Sequence, residues 1–239
     1  MLLVRIEIAI VAFIATATLT ASAQSVDVGA DFVSRYVWRG TDFGESFSVQ
    51  PSLAVRFSGF EAGTWGSYSL AADAALSNEV DLWVGYTVET ETAGSVTIAV
   101  TDYYFPFPGA ADEGMDFFNF KNDGGGAHWV EPSLSYSGPA VFPITVYAGI
   151  MALNDPENSV YAEISYPFSF ERDVEIRFTA GASLMESEFY GTPGFNFVNL
   201  GLSGTKVMKI TDSFSIPLRV AYVLNPNART NFLVLGVSL

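Results

Sequence analysis

The feature that most constrains the fold of this chain is an alternation of apolar and polar residues that recurs about a dozen times after the first two dozen residues. In the first run, VDVGADFVSRYVW at 26–38, valine, phenylalanine, tyrosine and tryptophan alternate with Asp27, Asp31 and Arg35. A period of two indicates an extended strand with one apolar and one polar face. Repeated this often, with charges on the polar side, the pattern predicts a sheet closed on itself, with lipid outside and water inside.

Composition supports a membrane protein without spanning helices. Hydrophobic residues make up 49% of the 239 residues, and aromatic residues 15%. The mean hydropathy of +0.29 is high for a soluble protein. After residue 23, however, no apolar run approaches the roughly 18 to 20 residues that a spanning helix needs. A membrane barrel explains both facts, because only every second residue of its strands meets lipid.

The balance of charge and the absence of cysteine exclude several functions. The chain has 26 acidic against 11 basic residues, which argues against nucleic acid as a partner and against a basic membrane-surface patch. Because it has no cysteine, it forms no disulfides and has no thiolate ligands or nucleophiles. We predict no cofactor.

The first 23 residues are predicted to be a cleaved signal peptide. Arg5 provides the positive start, residues 8–14 the apolar core, and Ala21-Ser22-Ala23 a cleavage site before Gln24. The alternative is an anchor helix that is retained. The predicted domains are therefore a signal peptide, 1–23, and an outer-membrane barrel, 24–239.

The mature chain contains twelve strand candidates. The predicted fold is all-β, a transmembrane antiparallel up-and-down β-barrel of about 12 strands, an even number as in single-chain bacterial barrels. A soluble sandwich would also alternate, with the apolar face as its core. The candidates span about 25–38, 46–58, 60–72, 79–90, 94–105, 128–137, 142–152, 158–168, 173–185, 195–205, 213–225 and 229–239.

The connections between these candidates alternate between short and long. If the first strand runs outward, the inner turns are short except 206–212, whereas several outer loops are long, and the longest is 106–127. This asymmetry is typical of the periplasmic and extracellular ends of an outer-membrane barrel, and a sandwich gives no reason for it. The first outer loop is predicted at 40–45, and the loop at 106–127 is expected to narrow the mouth.

Charged residues on the polar faces are the candidate lining of the lumen. They either form an ion-pair network that blocks flow or line a narrow aqueous path, since twelve strands lie between filled eight-stranded and open sixteen-stranded barrels. The excess of acids would favour cations modestly. The candidates are Asp27, Asp31, Arg35, Arg39, Arg56, Glu61, Asp81, Glu89, Glu131, Glu163, Glu175, Arg177 and Arg219.

Few residues suggest covalent chemistry, and we predict neither catalytic residues nor a bound metal. His128 is the only histidine, and Ser133, five residues on, would face the opposite side of the same strand. The acidic residues of the 106–127 loop fit either a calcium site or a solvated loop. Three tryptophans on the polar faces would stack against solutes or fill space beside glycines: Trp65, Trp83 and Trp129.

Four motifs in the first half of the mature chain resemble the TorF-type porin family of proteobacterial hypothetical proteins. They are S-x-Y-x-x-R-G at 34–40, G-x-W-x-S at 63–67, E-x-D-x-x-x-G-Y at 79–86, and a tyrosine-rich strand followed by Pro108-Gly109. The resemblance implies an outer-membrane barrel with a pore role. It implies little about the solute.

The sequence therefore predicts a porin of the bacterial outer membrane that passes small hydrophilic solutes without enzymatic activity. The expected partners are outer-membrane lipid, those solutes and the insertion machinery during assembly. The first alternative is a closed barrel that acts through its extracellular loops in adhesion, assembly or envelope integrity. The second is a soluble secreted sandwich or lipocalin-like binder.

Overall fold

The computed structural model describes residues 24–71, 78–106, 117–170 and 174–239. Within these ranges twelve long strands close into one antiparallel barrel, and two short hairpins, β2–β3 and β12–β13, lie apart from its wall. The predicted signal peptide, 1–23, falls outside the described residues.

The wall of the barrel consists of consecutive strands paired with their neighbours in sequence. The barrel closes where β1 pairs with β16, with Asp31 opposite Ser238. The wall strands are β1 (Gln24–Val33), β4 (Ser48–Phe57), β5 (Phe60–Ser69), β6 (Glu79–Thr90), β7 (Gly94–Tyr104), β8 (His128–Ser137), β9 (Thr145–Ile150), β10 (Val160–Phe170), β11 (Val174–Ser183), β14 (Asn196–Lys209), β15 (Ser215–Asn225) and β16 (Thr230–Ser238). The predicted twelve-stranded fold is confirmed.

The short strands belong to two connections at the end of the barrel that carries the long loops, here named the loop end. They are β2 (Val37–Trp38) and β3 (Thr41–Asp42) in the first connection, and β12 (Glu186–Ser187) and β13 (Thr192–Pro193) in the connection between β11 and β14. Among the described residues, the opposite end, the turn end, carries the connections 58–59, 91–93, 138–144 and 210–214.

Apolar side chains cover the outside of the wall. Val28 is 76% exposed, Ile98 58% and Leu233 61%, and each alternates with an inward-facing neighbour. Inside, buried positions are often polar, such as Ser48, Ser67 and Ser183. An apolar band outside and a polar interior reverse the arrangement of a soluble sandwich and are the pattern of a barrel that spans a membrane.

The first predicted strand is too long. Its barrel pairing ends at Val33, whereas alternation had placed its end at residue 38. The chain then leaves the wall and reverses direction at Arg39 and Gly40, which both have positive φ, 47° and 79°. Two consecutive residues of this conformation form the tight two-residue turn that joins paired short strands.

Candidate functional site

Residues 35–45 form a hairpin that folds into the barrel, here named the inward hairpin. Arg39 and Gly40 form its tip between β2 and β3. At its base the Phe43 N–H donates to the Tyr36 carbonyl oxygen at 2.9 Å. Asp42 pairs with Arg35, and its other carboxylate oxygen accepts the backbone N–H of Glu45 at 3.0 Å. These local bonds give the hairpin a defined shape.

The tip of the inward hairpin carries Arg39 to the opposite wall. Its two terminal nitrogens donate to the two oxygens of Glu131 on β8, at 2.8 and 2.9 Å. It also donates to the hydroxyls of Tyr190 at 2.6 Å and Tyr147 at 3.0 Å. Its guanidinium carbon lies 4.2 Å from the ring centre of Tyr161. A paired, planar guanidinium flanked by aromatic rings is the arrangement that arginine favours when buried.

The carboxylate of Glu131 is hydrogen-bonded as fully as the guanidinium of Arg39. It accepts hydrogen bonds from Tyr103 and Tyr147, each at 2.7 Å, in addition to the arginine. The side chains of Arg39 and Glu131 are only 8% and 1% exposed. Because nearly every lone pair and proton is used, the desolvation of both charges is offset. This group of side chains is here named the Arg39–Glu131 cluster, and it consists of Arg39, Glu131, Tyr103, Tyr147, Tyr161 and Tyr190.

Tyr190 enters this cluster from the second inward segment, the hairpin formed by β12 and β13. Its ring stacks on that of Tyr161, with the centroids 5.6 Å apart. Burial raises the pKa of the Tyr190 hydroxyl, although Arg39 opposes the shift, so the group stays neutral. The preceding residue, Phe189, packs edge-on against Trp38 at 6.1 Å. The two hairpins therefore meet inside the barrel near its loop end.

The inward hairpin also rests against the wall formed by β14 and β15. Asn225 donates its side-chain amide to the Gly40 carbonyl oxygen at 3.3 Å. The Val198 carbonyl would stand 1.9 Å from a Cβ atom at position 40, so only glycine fits there. Together with the bonds to β8 and β9, these contacts span the interior. The predicted outer loop at 40–45 is therefore wrong, since this segment is a stopper inside the barrel.

The loop predicted at 106–127 was expected to narrow the mouth, and that expectation stays a prediction. Residues 107–116 lie outside the described residues. The remainder contacts the outside of the wall at His128, whose Nδ1 lies 2.9 Å from Asp102 and whose Nε2 lies 2.7 Å from the Phe117 carbonyl oxygen. The His128 ring stacks between Phe120 at 3.9 Å and Tyr104 at 4.8 Å. His128 thus fastens residues 117–120 to the wall.

His128 and Asp102 occupy outward positions of β8 and β7, on the same face as exposed residues such as Val100 and Leu134. His128 itself is fully buried, because the loop covers it. Ser133 follows at odd spacing and faces the interior. A histidine–aspartate pair therefore exists, but the serine suggested by the sequence is separated from it by the wall.

Apart from Arg35, which lies at the base of the inward hairpin, the other predicted charges lie at inward positions of the strands. Arg56 pairs with Asp27 and Glu61 near the turn end. Glu175 and Arg177 pair at 3.0 Å. Glu163 accepts a hydrogen bond from Asn199 at 3.0 Å. Within the described ranges, five predicted residues form no ion pair: Asp31, Asp81, Glu89, Glu163 and Arg219.

The sequence suggested that the interior tryptophans either stack against solutes or fill space beside glycines. Trp83 fills space. The Trp83 indole N–H donates to Glu61 at 2.8 Å. Its ring lies over Gly63, where a Cβ atom would be 2.3 Å from Cζ2. Trp83 therefore fills the space that a glycine leaves on the neighbouring strand.

Open space remains inside the barrel between the inward hairpin and the turn end. Arg219 borders two cavities, one of about 160 Å³ that also meets Glu163 and Asn199, and one of about 130 Å³ that meets Arg35 and Gln50. A larger recess of about 580 Å³ lies at the turn end beside Arg56, Glu61 and Glu89. The interior therefore contains open, polar cavities below the narrow section that the inward hairpin plugs.

Sequence reasoning missed several members of the site. The tyrosines at 103, 147, 161 and 190 carry no motif that marks them as partners of an arginine. Glu79 shares its strand face with Asp81, so the same alternation could have identified it. In the part of the chain that the structure describes, no three histidine, cysteine or acidic residues gather as metal ligands, and no helix is long and apolar enough to span a membrane.

These features define the class: a transmembrane antiparallel β-barrel whose interior is polar and constricted by inward loops. Residues 17–207 match the family model described as a bacterial protein of unknown function, Gcw_chp, and the chain belongs to that family. No curated protein matches the chain.

Solved porin structures share the fold. A KdgM porin has a TM-score of 0.55 and 9% identity over 90% of this chain and 98% of its own. A second structure, a KdgM porin in complex with disordered oligogalacturonate, has a TM-score of 0.53 and 10% identity over the same shares. At such identities the likeness extends to the fold alone.

Proposed function

We propose that this protein is an outer-membrane channel for small hydrophilic solutes, with a mild preference for cations and a lumen restricted by its inward hairpin. Residues 24–239 form the channel domain, and residues 1–23 are the signal that directs export. The observation that carries the proposal is a polar interior with open cavities inside a wall whose outer face is apolar. The similar fold of KdgM porins and the resemblance to TorF-type porins support it.

The restriction is narrow enough to control flow. The Arg39–Glu131 cluster joins both inward hairpins to β8 and β9, and Gly40 rests against β14. A solute that passes from one end to the other must move around or displace this cluster. We therefore propose that the channel conducts weakly with the inward hairpin in its present position and conducts more when the hairpin is displaced.

The preference for cations rests on the inward charges. Eight of the thirteen candidate residues are acidic, and Asp31 and Glu89 have no ion-pair partner within the described residues. Arg39 and Arg56 are neutralised by carboxylates, which leaves Arg219 as the main uncompensated interior cation among the candidates. A path lined by an excess of carboxylates raises the local concentration of cations.

The test is single-channel conductance of refolded protein in a planar bilayer under a salt gradient. We expect small steps of single-channel conductance and a reversal potential whose sign shows a preference for cations. Arg39→Ala should increase the unit conductance severalfold, whereas Arg56→Ala, which removes a more exposed arginine near the turn end, should leave it almost unchanged. Anion selectivity would refute the charge argument.

The Arg39–Glu131 cluster also favours a second function, a closed barrel that acts through its loops. This alternative predicts that folded, inserted protein conducts neither as wild type nor as Arg39→Ala. We propose no enzymatic role for either function. The histidine–aspartate pair lies outside the barrel under a loop, and the wall separates it from Ser133, which faces the interior.

A further inference from the structure

Residues 117–127 form a compact segment that is bound to the outside of the barrel wall. The Asn119 side-chain amide donates to the Gly125 carbonyl oxygen at 3.1 Å, which closes the segment on itself. Asn154, 2% exposed, donates its side-chain amide to the Gly126 carbonyl oxygen at 2.9 Å and accepts the Gly126 N–H at 3.0 Å. These bonds fix the course of the segment.

Three phenylalanine side chains of this segment remain exposed. Phe117 is 45%, Phe118 79% and Phe120 50% exposed. The rings of Phe117 and Phe118 meet edge-on, with their centroids 5.4 Å apart. Phe117 and Phe120 both contact the His128 ring, at 5.4 and 3.9 Å between centroids. The three side chains are here named the phenylalanine cluster. An exposed apolar cluster on a segment of fixed course marks an interaction surface.

The position of the phenylalanine cluster indicates what covers it. His128 and Asp102, which lie beneath the segment, occupy outward positions of β8 and β7. Farther along the same outward face lie Val100 and Leu134, which are 41% and 52% exposed. The cluster therefore continues the apolar band of the outer wall, and in a barrel that spans a membrane this band is covered by lipid.

The cluster also shields a polar patch on this face of the wall. Asp102 lies 2.9 Å from His128 Nδ1, so the pair would otherwise present polar atoms to lipid. The Phe120 ring stacks on the His128 ring, and His128 is fully buried. Polar groups at the level of the hydrocarbon are costly unless they are paired and shielded. The segment replaces this polar patch by an apolar surface, which fits a hydrocarbon neighbour and does not fit water.

We propose that the phenylalanine cluster inserts into the acyl chains of the membrane leaflet at the loop end and anchors residues 117–127 there. Phe118, the most exposed of the three, makes the largest contact with lipid. Aromatic rings are favoured where the hydrocarbon of a membrane meets its headgroups. The anchor lies outside the barrel, so it does not depend on whether the lumen conducts.

The test is fluorescence quenching of a label at position 118. Because the chain has no cysteine, Phe118→Cys carries a single environment-sensitive fluorophore. The refolded protein is placed in phosphatidylcholine nanodiscs, and the quencher is either a nitroxide on the acyl chains or iodide in the water. Leu134→Cys, on the outward face of β8, is the reference for lipid. Ala228→Cys, in the exposed connection between β15 and β16, is the reference for water.

We expect the nitroxide to quench the label at 118 about as strongly as the label at 134, and iodide to quench it severalfold less than the label at 228. Strong quenching by iodide would place position 118 in water and overturn the proposal. Quenching by neither would show that protein, such as a second copy of this chain, covers the cluster, and it would overturn the proposal as well.

Proteolysis provides an independent readout that leaves Phe117 and Phe120 in place. Phe118→Asp brings a charge into the acyl layer, so the segment should lift, and trypsin should cleave after the exposed Lys121 severalfold faster than in the wild type. Phe118→Leu keeps an apolar side chain and should be cleaved at the wild-type rate. Equal rates for these two variants in nanodiscs, with the β-sheet circular dichroism of the wild type retained, would contradict anchoring by lipid.

Discussion

The carbonyl oxygen of Val198 lies 1.9 Å from the place where a Cβ atom at position 40 would stand. Gly40 also has a φ of 79°, which residues with a side chain rarely adopt. Backbone conformation and space therefore both require glycine at the tip of the inward hairpin. The tip of the hairpin therefore lies against the backbone of β14 with no room for a side chain.

Gly40→Ala should dislodge the tip of the hairpin. The methyl group cannot be accommodated without moving either the hairpin or the backbone of β14, and the positive φ adds about 1–2 kcal/mol of strain. We expect the unit conductance to rise severalfold, as measured in planar bilayers. Gly204→Ala is the matched control, because a Cβ atom there meets nothing within 4 Å. Equal conductance in the two variants would contradict the assigned role of the tip.

Arg39 and Glu131 should be strongly coupled in unfolding. Arg39→Met or Glu131→Gln leaves a buried charge without its partner, and each should lower the free energy of unfolding by about 3–5 kcal/mol. The double variant should lose less than the sum, with a coupling energy on the order of 2 kcal/mol. Urea unfolding, followed by tryptophan fluorescence, measures the free energy of unfolding of the wild type, the two single variants and the double variant.

The pair Glu175–Arg177 provides the comparison for that cycle. Its side chains are 42% and 38% exposed, so solvent screens their attraction. The same cycle there should give a coupling of less than about 1 kcal/mol. If both cycles gave similar values, burial would not be the source of the strength of the Arg39–Glu131 cluster.

Much of the wall could be predicted from sequence, because period-two alternation depends on short-range information. The strands β6 and β8 were predicted with the bounds that the structure shows. The inward hairpin could not be predicted in this way. Tyr36 and Trp38 continue the alternation of β1, so the pattern hides the point at which the chain leaves the wall. The pair Arg39-Gly40 was the only local signal of a turn.

The partners of Arg39 illustrate a second limit of the sequence. Glu131 is separated from it by 92 residues, and Tyr190 by 151. Both acquire their positions from the closure of the barrel and from the course of a later loop. Charge and alternation assign Glu131 to the polar face of its strand, but they contain no information on which charges meet across the interior.

His128→Ala should release the loop that lies against the outer wall. It removes the contacts with Asp102, with the Phe117 carbonyl and with the Phe120 ring. Lys121 is the only lysine or arginine in 106–127, so trypsin cleavage after Lys121 reports the freedom of this segment. We expect faster cleavage in His128→Ala, measured by mass spectrometry of the folded protein in detergent. Leu134→Ala, on the same outward face of β8, should be cleaved as slowly as the wild type.

Gly63→Ala should destabilise the wall near the turn end. Its methyl group would meet Trp83 at 2.3 Å and the Leu53 carbonyl oxygen at 2.6 Å. Since backbone limits one side, the indole must move, and we expect a loss of about 1–3 kcal/mol in the free energy of unfolding. The indole bond to Glu61 should weaken as well, which a shift of tryptophan emission would report. A stability equal to that of Gly204→Ala would show that the ring moves freely.

Every group that grips the tip of the inward hairpin from outside the hairpin belongs to a part of the chain that is synthesised later: β8, β9, β10, the loop with Tyr190, β14 and β15. The inward hairpin is synthesised before these partners, the earliest of which is Glu131, 92 residues later, and the last Asn225, 185 residues after Gly40. The full set of contacts around the buried arginine can therefore form only when the barrel is complete. In a partly assembled barrel the inward hairpin would not be held in place.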